Sequence, residues 1–61
     1  MDTNIQFAEA CYDMNSINEL EEALEGGADD TDMKIWGINA VEWRKAVKEA
    51  LEEKRVEEIS F

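Results

Sequence analysis

The stretch Ile38-Asn39-Ala40-Val41-Glu42-Trp43 decides the fold of this chain, because it contains three signals for the start of one helix. Asn39 is a favoured N-cap residue, and Glu42 stands three positions later, where its side chain can return to the Asn39 backbone as a capping box. Ile38, directly before the cap, can pack on Trp43 as a hydrophobic staple. Together these signals predict a helix that begins with the residue after Asn39.

This helix is amphipathic and is expected to span residues 40–57. Its apolar residues recur at intervals of three and four, which is the spacing of one buried helical face. The residues expected on that face are Trp43, Ala46, Val47, Ala50 and Leu51. Arg44, Lys48 and Arg55 fall on a neighbouring stripe, and five of the six bases of the chain lie on this helix.

Three shorter helical segments precede it. A helix over residues 4–14, capped by its first residue or the one before, has apolar positions at i, i+3, i+4 and i+7. A second, over 16–25, opens with a capping box of Ser16 and Glu19 and ends at a Gly-Gly pair. A short element over 32–36 follows an acidic loop and is closed by a further glycine.

Because these segments all have helical periodicity, we predict one all-α domain over residues 1–61, with three to four helices. The expected core draws on every segment: Phe7, Cys11, Leu20, Leu24, Trp36, Ile38, Trp43, Val47 and Leu51. The tail, 56–61, fits one more helical turn, an extended segment or a disordered end. A chain of 61 residues has a thin core, so a homodimer or a subunit bound to a partner is as readily expected as a monomer.

The charge of the chain is concentrated in its first half. The net charge is −10, from 16 acids and six bases, and residues 1–32 contain ten of the acids and none of the bases. Residues 33–61 contain six of each and are neutral. A one-signed surface of this kind repels nucleic acid and anionic membranes and attracts basic proteins. The residues predicted to form it are Glu19, Glu21, Glu22, Glu25, Asp29, Asp30 and Asp32.

The sequence lacks the residues that most catalytic and metal sites use. It contains no histidine, so the commonest general base and the commonest zinc ligand are both missing. Cys11, the one cysteine, lies on an apolar helical stripe without a nearby base, which favours a buried structural thiol. A calcium loop starting at Asp30 would place Lys34, Ile35 and Val41 where ligands or glycine are required. We therefore expect no cofactor, no metal and no enzyme activity.

The same composition bears on where the protein works. A single cysteine excludes a disulfide-stapled secreted scaffold and fits a reducing compartment. Met1–Tyr12 shows no basic region followed by an apolar run, and no stretch approaches the roughly 20 apolar residues that a membrane-spanning helix needs. We expect a cytoplasmic protein with no membrane contact.

The acidic segment allows two interpretations. Carboxylates four residues apart on a helix, such as Glu21 and Glu25, are about 6 Å apart along its axis, of the order of neighbouring phosphates, and suit a groove built for nucleic acid. Their repulsion costs a few tenths of a kcal/mol per pair, and nothing in the first 32 residues offsets it. In the other interpretation the face is merely solvated, its charge offset by Arg44, Lys48 and Arg55 of the same or a second molecule.

Direct nucleic-acid binding is not expected, because six bases stand against 16 acids and Arg44, Lys45 and Lys48 are expected to pair with the acidic half. In size and charge the chain resembles the nucleic-acid-mimicking inhibitors that phages and mobile elements encode against restriction and CRISPR systems. That resemblance implies a non-enzymatic protein-binding module whose acidic surface engages a basic site on a nucleic-acid-handling protein. The alternative prediction is a structural or assembly module that homodimerises through apolar helix faces.

Overall fold

The computed structural model describes residues 3–59, which form four helices: α1 (Thr3–Met14), α2 (Ile17–Gly26), α3 (Asp30–Trp36) and α4 (Ala40–Ile59). The all-α prediction is confirmed, and this part of the chain contains no strand. α4 is the longest helix, with 20 residues, and each of the other three contacts it. The rest of the fold is therefore built on α4.

The start of α4 has the predicted capping box. The Glu42 N–H donates to Asn39 Oδ1 at 2.8 Å, and the Asn39 N–H donates to Glu42 Oε1 at 3.0 Å. Ile38 and Trp43, the expected staple pair, are both buried in the same core cluster. Because the two hydrogen bonds of the box are local in sequence, the start of this helix could be predicted from residues 39–42.

The end of α4 settles an ambiguity of the sequence. Residues 56–59 form a further helical turn, so the helix ends at Ile59 rather than at the predicted residue 57. The two apolar residues of this turn, Val56 and Ile59, are 61 % and 83 % exposed and lie outside the core. The last part of the ambiguous tail, 60–61, falls outside the described residues.

α2 is capped at both ends as predicted. Ser16 Oγ accepts the Glu19 N–H at 3.3 Å, and the Ser16 N–H donates to Glu19 Oε1 at 3.0 Å. At the other end Gly27 adopts a φ of 91° and donates its N–H to the Ala23 carbonyl. Side chains disfavour that backbone conformation, so glycine is the suitable residue at this position.

Three helices begin one or two residues away from their predicted starts. α1 includes Thr3 and Asn4, the two residues expected to cap it. α2 begins at Ile17 rather than at residue 16, which is its N-cap. α3 begins at Asp30 rather than Asp32, because Asp29 is its N-cap. The Asp29 carboxylate accepts two N–H groups of the first turn, at 2.8 and 3.3 Å, and so allows the helix to start earlier.

The core lies between α4 and the other helices. It consists of Phe7, Cys11, Leu20, Ile38, Trp43, Ala46, Val47, Ala50 and Leu51. The five residues expected on the buried face of α4 are all among them. The prediction that Leu24 and Trp36 belong to the buried core is wrong, because both are half-buried and pack against the cluster from its edge. There the Trp36 ring lies 5.5 Å from the Phe7 ring, centroid to centroid, at an angle of 52°.

Polar contacts hold α1 along α4. Near the start of α4, Asn4 Nδ2 donates to Glu42 Oε2 at 2.8 Å, and this bond, followed by that from the Asn39 backbone, lowers the pKa of Glu42. Near its end the Tyr12 hydroxyl donates to the Glu57 carboxylate, which raises the pKa of Tyr12. The two contacts are made in the same order along both helices, so α1 and α4 run in the same general direction.

Candidate binding surface

The seven predicted site residues divide into two groups in the structure. Four side chains have structural partners: Glu19, Glu21, Asp29 and Asp32. The other three are exposed, and within residues 3–59 their carboxylates make no hydrogen bond or ion pair: Glu22, Glu25 and Asp30. We call these three residues the open carboxylates. Three of the seven predicted residues thus have carboxylates with no partner in the described part of the chain.

Glu19 and Asp29 serve as helix caps. Glu19 accepts the Ser16 N–H, and this bond, with that to the Ser16 side chain, lowers the pKa of the Glu19 carboxyl. Asp29 accepts backbone N–H groups at the start of α3. Each carboxylate satisfies donors that a helix start would otherwise leave without partners. Their presence is explained by helix formation, without a binding partner.

Asp32 is one of the four residues with a structural partner because its side chain faces the core. Its Oδ2 accepts the Nε1–H of Trp43 at 3.3 Å, which gives the buried indole a partner. Burial first, and then the charge of Asp32, raise the pKa of Cys11 from 9.0 to about 11. Cys11 is buried as predicted, and its thiol is protonated at neutral pH and is a poor nucleophile.

Glu21 is the one predicted residue whose charge α4 offsets. Its Oε2 lies 3.3 Å from Arg55 Nη2, and both side chains are about half exposed; no other ion pair occurs among residues 3–59. The expected pairing of Arg44, Lys45 and Lys48 with the acidic half is therefore wrong within one chain. The expected row of Glu21 and Glu25 is also interrupted, since Glu21 is engaged with α4.

Glu22 and Glu25 point away from the rest of the molecule. Leu20, which is 1 % exposed, marks the inward face of α2. At about 100° per residue, Glu22 lies roughly 200° and Glu25 roughly 140° around the helix from it, so the two share the outer face. Residues three apart on a helix have Cβ atoms about 5–6 Å from each other. The outer face of α2 therefore presents two close negative charges.

A second carboxylate-rich surface was missed by sequence reasoning. It is a groove of about 330 Å³ between α1 and α4. Its lining includes the apolar or aromatic residues Ile5, Ala8, Tyr12 and Ala50 and the acids Glu9, Asp13, Glu49 and Glu53. On each helix the two acids are four residues apart, a spacing that puts them on one side and is visible in the sequence. The neutral total of residues 33–61 concealed the acids on this flank of α4.

Carboxylates dominate the predicted surface and the groove described above. Among residues 3–59 no three carboxylates or thiols come together in a geometry suited to a metal ion, and no helix is long and apolar enough to span a membrane. The surface can attract cations and repel anions, and its open carboxylates can accept hydrogen bonds from Lys and Arg. Comparison with protein-family models, curated proteins and solved structures gives no significant match.

Proposed function

We propose that the chain is a protein-binding module whose open carboxylates, Glu22, Glu25 and Asp30, occupy a basic site on a nucleic-acid-handling protein and keep nucleic acid out of it. This is the mode of action of an anti-restriction or anti-CRISPR type of inhibitor. The observation that carries the proposal is that no cation of residues 3–59 pairs with these three carboxylates. A basic partner can supply the missing cations.

The position of Glu22 and Glu25 within α2 strengthens the argument. α2 ends at Gly26, so both residues lie in its C-terminal half, and its last turn contains no base. Negative charge near a helix C-terminus opposes the helix dipole, and Glu25 also repels Glu22 three positions earlier. Each effect costs tenths of a kcal/mol and serves no purpose in the fold. A residue that weakens its own helix is more readily understood as a binding residue.

Asp30 supports the proposal less strongly than Glu22 and Glu25 do. It lies in the first turn of α3, where the helix dipole favours a carboxylate, so it has a structural reason to be there. Glu22 and Glu25 have no such reason. The binding role therefore depends mainly on the outer face of α2, with Asp30 extending the surface toward α3.

Binding through such a surface has a recognisable dependence on salt. Exposed charges attract a basic partner over a distance of about 10 Å at 0.1 M salt and over much less at 1 M. Electrostatic attraction mainly speeds association, so affinity falls steeply as ionic strength rises. Because the surface takes the place of phosphates, duplex DNA or RNA must compete for the same site on the partner.

The test uses the immobilised full chain and an extract of the cells that encode it. Retained proteins are eluted with a duplex DNA oligonucleotide and identified by mass spectrometry, and the affinity of the purified candidate is then measured. The variant E22Q/E25Q/D30N should keep its helical circular dichroism and bind the DNA-eluted protein at least about tenfold more weakly, the loss expected for three charge-assisted contacts.

A matched control distinguishes this surface from the groove. The variant E9Q/D13N/E53Q removes the same number of negative charges, giving −10 + 3 = −7 in both variants, but alters the groove between α1 and α4. It should retain the partner. If the groove variant loses the partner while E22Q/E25Q/D30N keeps it, or if DNA elutes nothing, the proposal is wrong.

The alternative, assembly through apolar helix faces, stays a prediction. The apolar faces of α1, α2 and α4 line the core of the chain itself. A homodimer would therefore have to use another surface.

A further inference from the structure

The outer face of α4 is the longest exposed helix face in the described part of the molecule. Trp43 and Ala50, both 2 % exposed, mark the inward side on which the other helices pack. The residues of the opposite side lie within about 100° of one another around the helix. They are all exposed: Val41, Lys45, Lys48, Glu49, Glu52, Val56 and, one turn beyond it, Ile59.

The charges along this face are separated by sign. Lys45 and Lys48 form a positive half, Glu49 and Glu52 form a negative half, and a valine flanks each half. None of the four charged side chains forms an ion pair within residues 3–59. Val41 and Val56 are 77 % and 61 % exposed. The face is therefore both charged and apolar, and its contacts within the chain leave these groups accessible.

We propose that this face binds the same face of a second copy of the chain, with the two α4 helices antiparallel. In that orientation the positive half of one helix lies on the negative half of the other, and the valine beside each half approaches the valine beside the opposite half. A parallel pair would place lysine on lysine and glutamate on glutamate, which is unfavourable. The charge order therefore selects both the partner and the direction.

Two further properties of the molecule suit this pairing. The chain is small enough that association is a natural source of additional stability. The other helices pack on the inward side of α4, so pairing through its outer face leaves the open carboxylates of α2 and α3 uncovered. The dimer is thus compatible with the proposed function and does not depend on it.

Because the pairing consists of exposed ion pairs and a few valines, the dimer should be weak and should dissociate as salt is added. The expected result is a reversible monomer–dimer equilibrium of the full chain by sedimentation in 20 mM salt at concentrations up to 1 mM, shifted to monomer at 500 mM. A chain that stays monomeric throughout at 20 mM salt overturns the proposal.

A charge swap tests the face itself. K45E/K48E has a wholly negative face and E49K/E52K a wholly positive one, so each alone should raise the dissociation constant by about tenfold or more. Mixed in equal amounts, the two should form a heterodimer, because every opposing pair is again of opposite sign. Its total charge, (−10 − 4) + (−10 + 4) = −20, equals that of the native dimer, so a change in net charge cannot explain the recovery.

The controls separate other modes of association. Circular dichroism and tryptophan fluorescence show that each variant is folded. If the mixture stays monomeric, or if either variant alone dimerises as well as the native chain, the antiparallel pairing is wrong. Loss of self-association in E22Q/E25Q/D30N would point to the acidic surface as the contact and would equally contradict the proposal. The charge-swap results do not bear on whether that surface binds a basic partner.

Discussion

The inner side of α4 and the outer side of α2 have opposite properties: the first is apolar and buried, and the second is charged and exposed. On α4, Trp43 is 2 % exposed, packs in the core and donates its indole N–H to Asp32. On α2, Glu22 and Glu25 are exposed and have no cation beside them within residues 3–59. Stability is concentrated on the first surface and uncompensated charge on the second. The two can therefore be altered separately by mutation.

Replacing Trp43 by Ala should have the largest effect. The variant loses a buried aromatic side chain, leaves a cavity in a thin core and removes the hydrogen-bond donor to Asp32. The expected loss is roughly 3 to 5 kcal/mol of unfolding free energy, enough to unfold a marginal domain. Urea titration followed by circular dichroism measures it.

Trp36→Ala is the matched control, since Trp36 is half-buried at the edge of the same cluster. It should cost clearly less than Trp43→Ala. Equal stability of the Trp43 variant and the native chain would show that the inner side of α4 is not where stability resides.

The buried thiol predicts an effect of intermediate size at alkaline pH. The pKa of Cys11 is about 11 in the folded chain against 9.0 for an ordinary thiol, so the unfolded chain releases this proton first. The corresponding stability is fully present below pH 9 and is lost as pH rises toward 11, by about 2 kcal/mol at pH 10.5. Urea unfolding at pH 8 and pH 10.5 gives the difference.

Cys11→Ala isolates the thiol from other groups that titrate in this range, Tyr12 among them. The variant should be less stable than the native chain at pH 8, because a small cavity is created, but its stability should fall less between the two pH values. A fall of the same size in both proteins would mean that burial does not hold this thiol protonated.

The two surfaces also differ in how well the sequence predicts them. The start of α4 follows from Asn39 and Glu42, three residues apart, and the inner face follows from helical periodicity. The bonds from Asn4 to Glu42 and from Tyr12 to Glu57 span 38 and 45 positions, and depend on how helices pack. Local rules contain no information about such pairs, so the direction of α1 along α4 could not be predicted.

For the acidic surface, the sequence predicted which segment carries the carboxylates but not which of them pair with other residues. Periodicity alone places Glu22 and Glu25 opposite Leu20. The pairing of Glu21 with Arg55 and the role of Asp32 toward Trp43 arise from tertiary contacts. The cap formed by Asp29 is a local feature, and it was missed because several neighbouring Asp and Thr residues are equally good caps.

The smallest expected effect concerns the outer side of α2. E22Q/E25Q should be more stable than the native chain by a few tenths of a kcal/mol, because it removes charges that oppose the α2 dipole and repel their neighbours. E52Q on α4 is the control: Glu52 is three and four residues from Arg55 and Lys48, so its loss should be neutral or slightly destabilising. Added NaCl should stabilise the native chain more than E22Q/E25Q, since salt screens the same repulsion. If E22Q/E25Q is instead less stable, these carboxylates support the fold, and the argument that they are retained for binding fails.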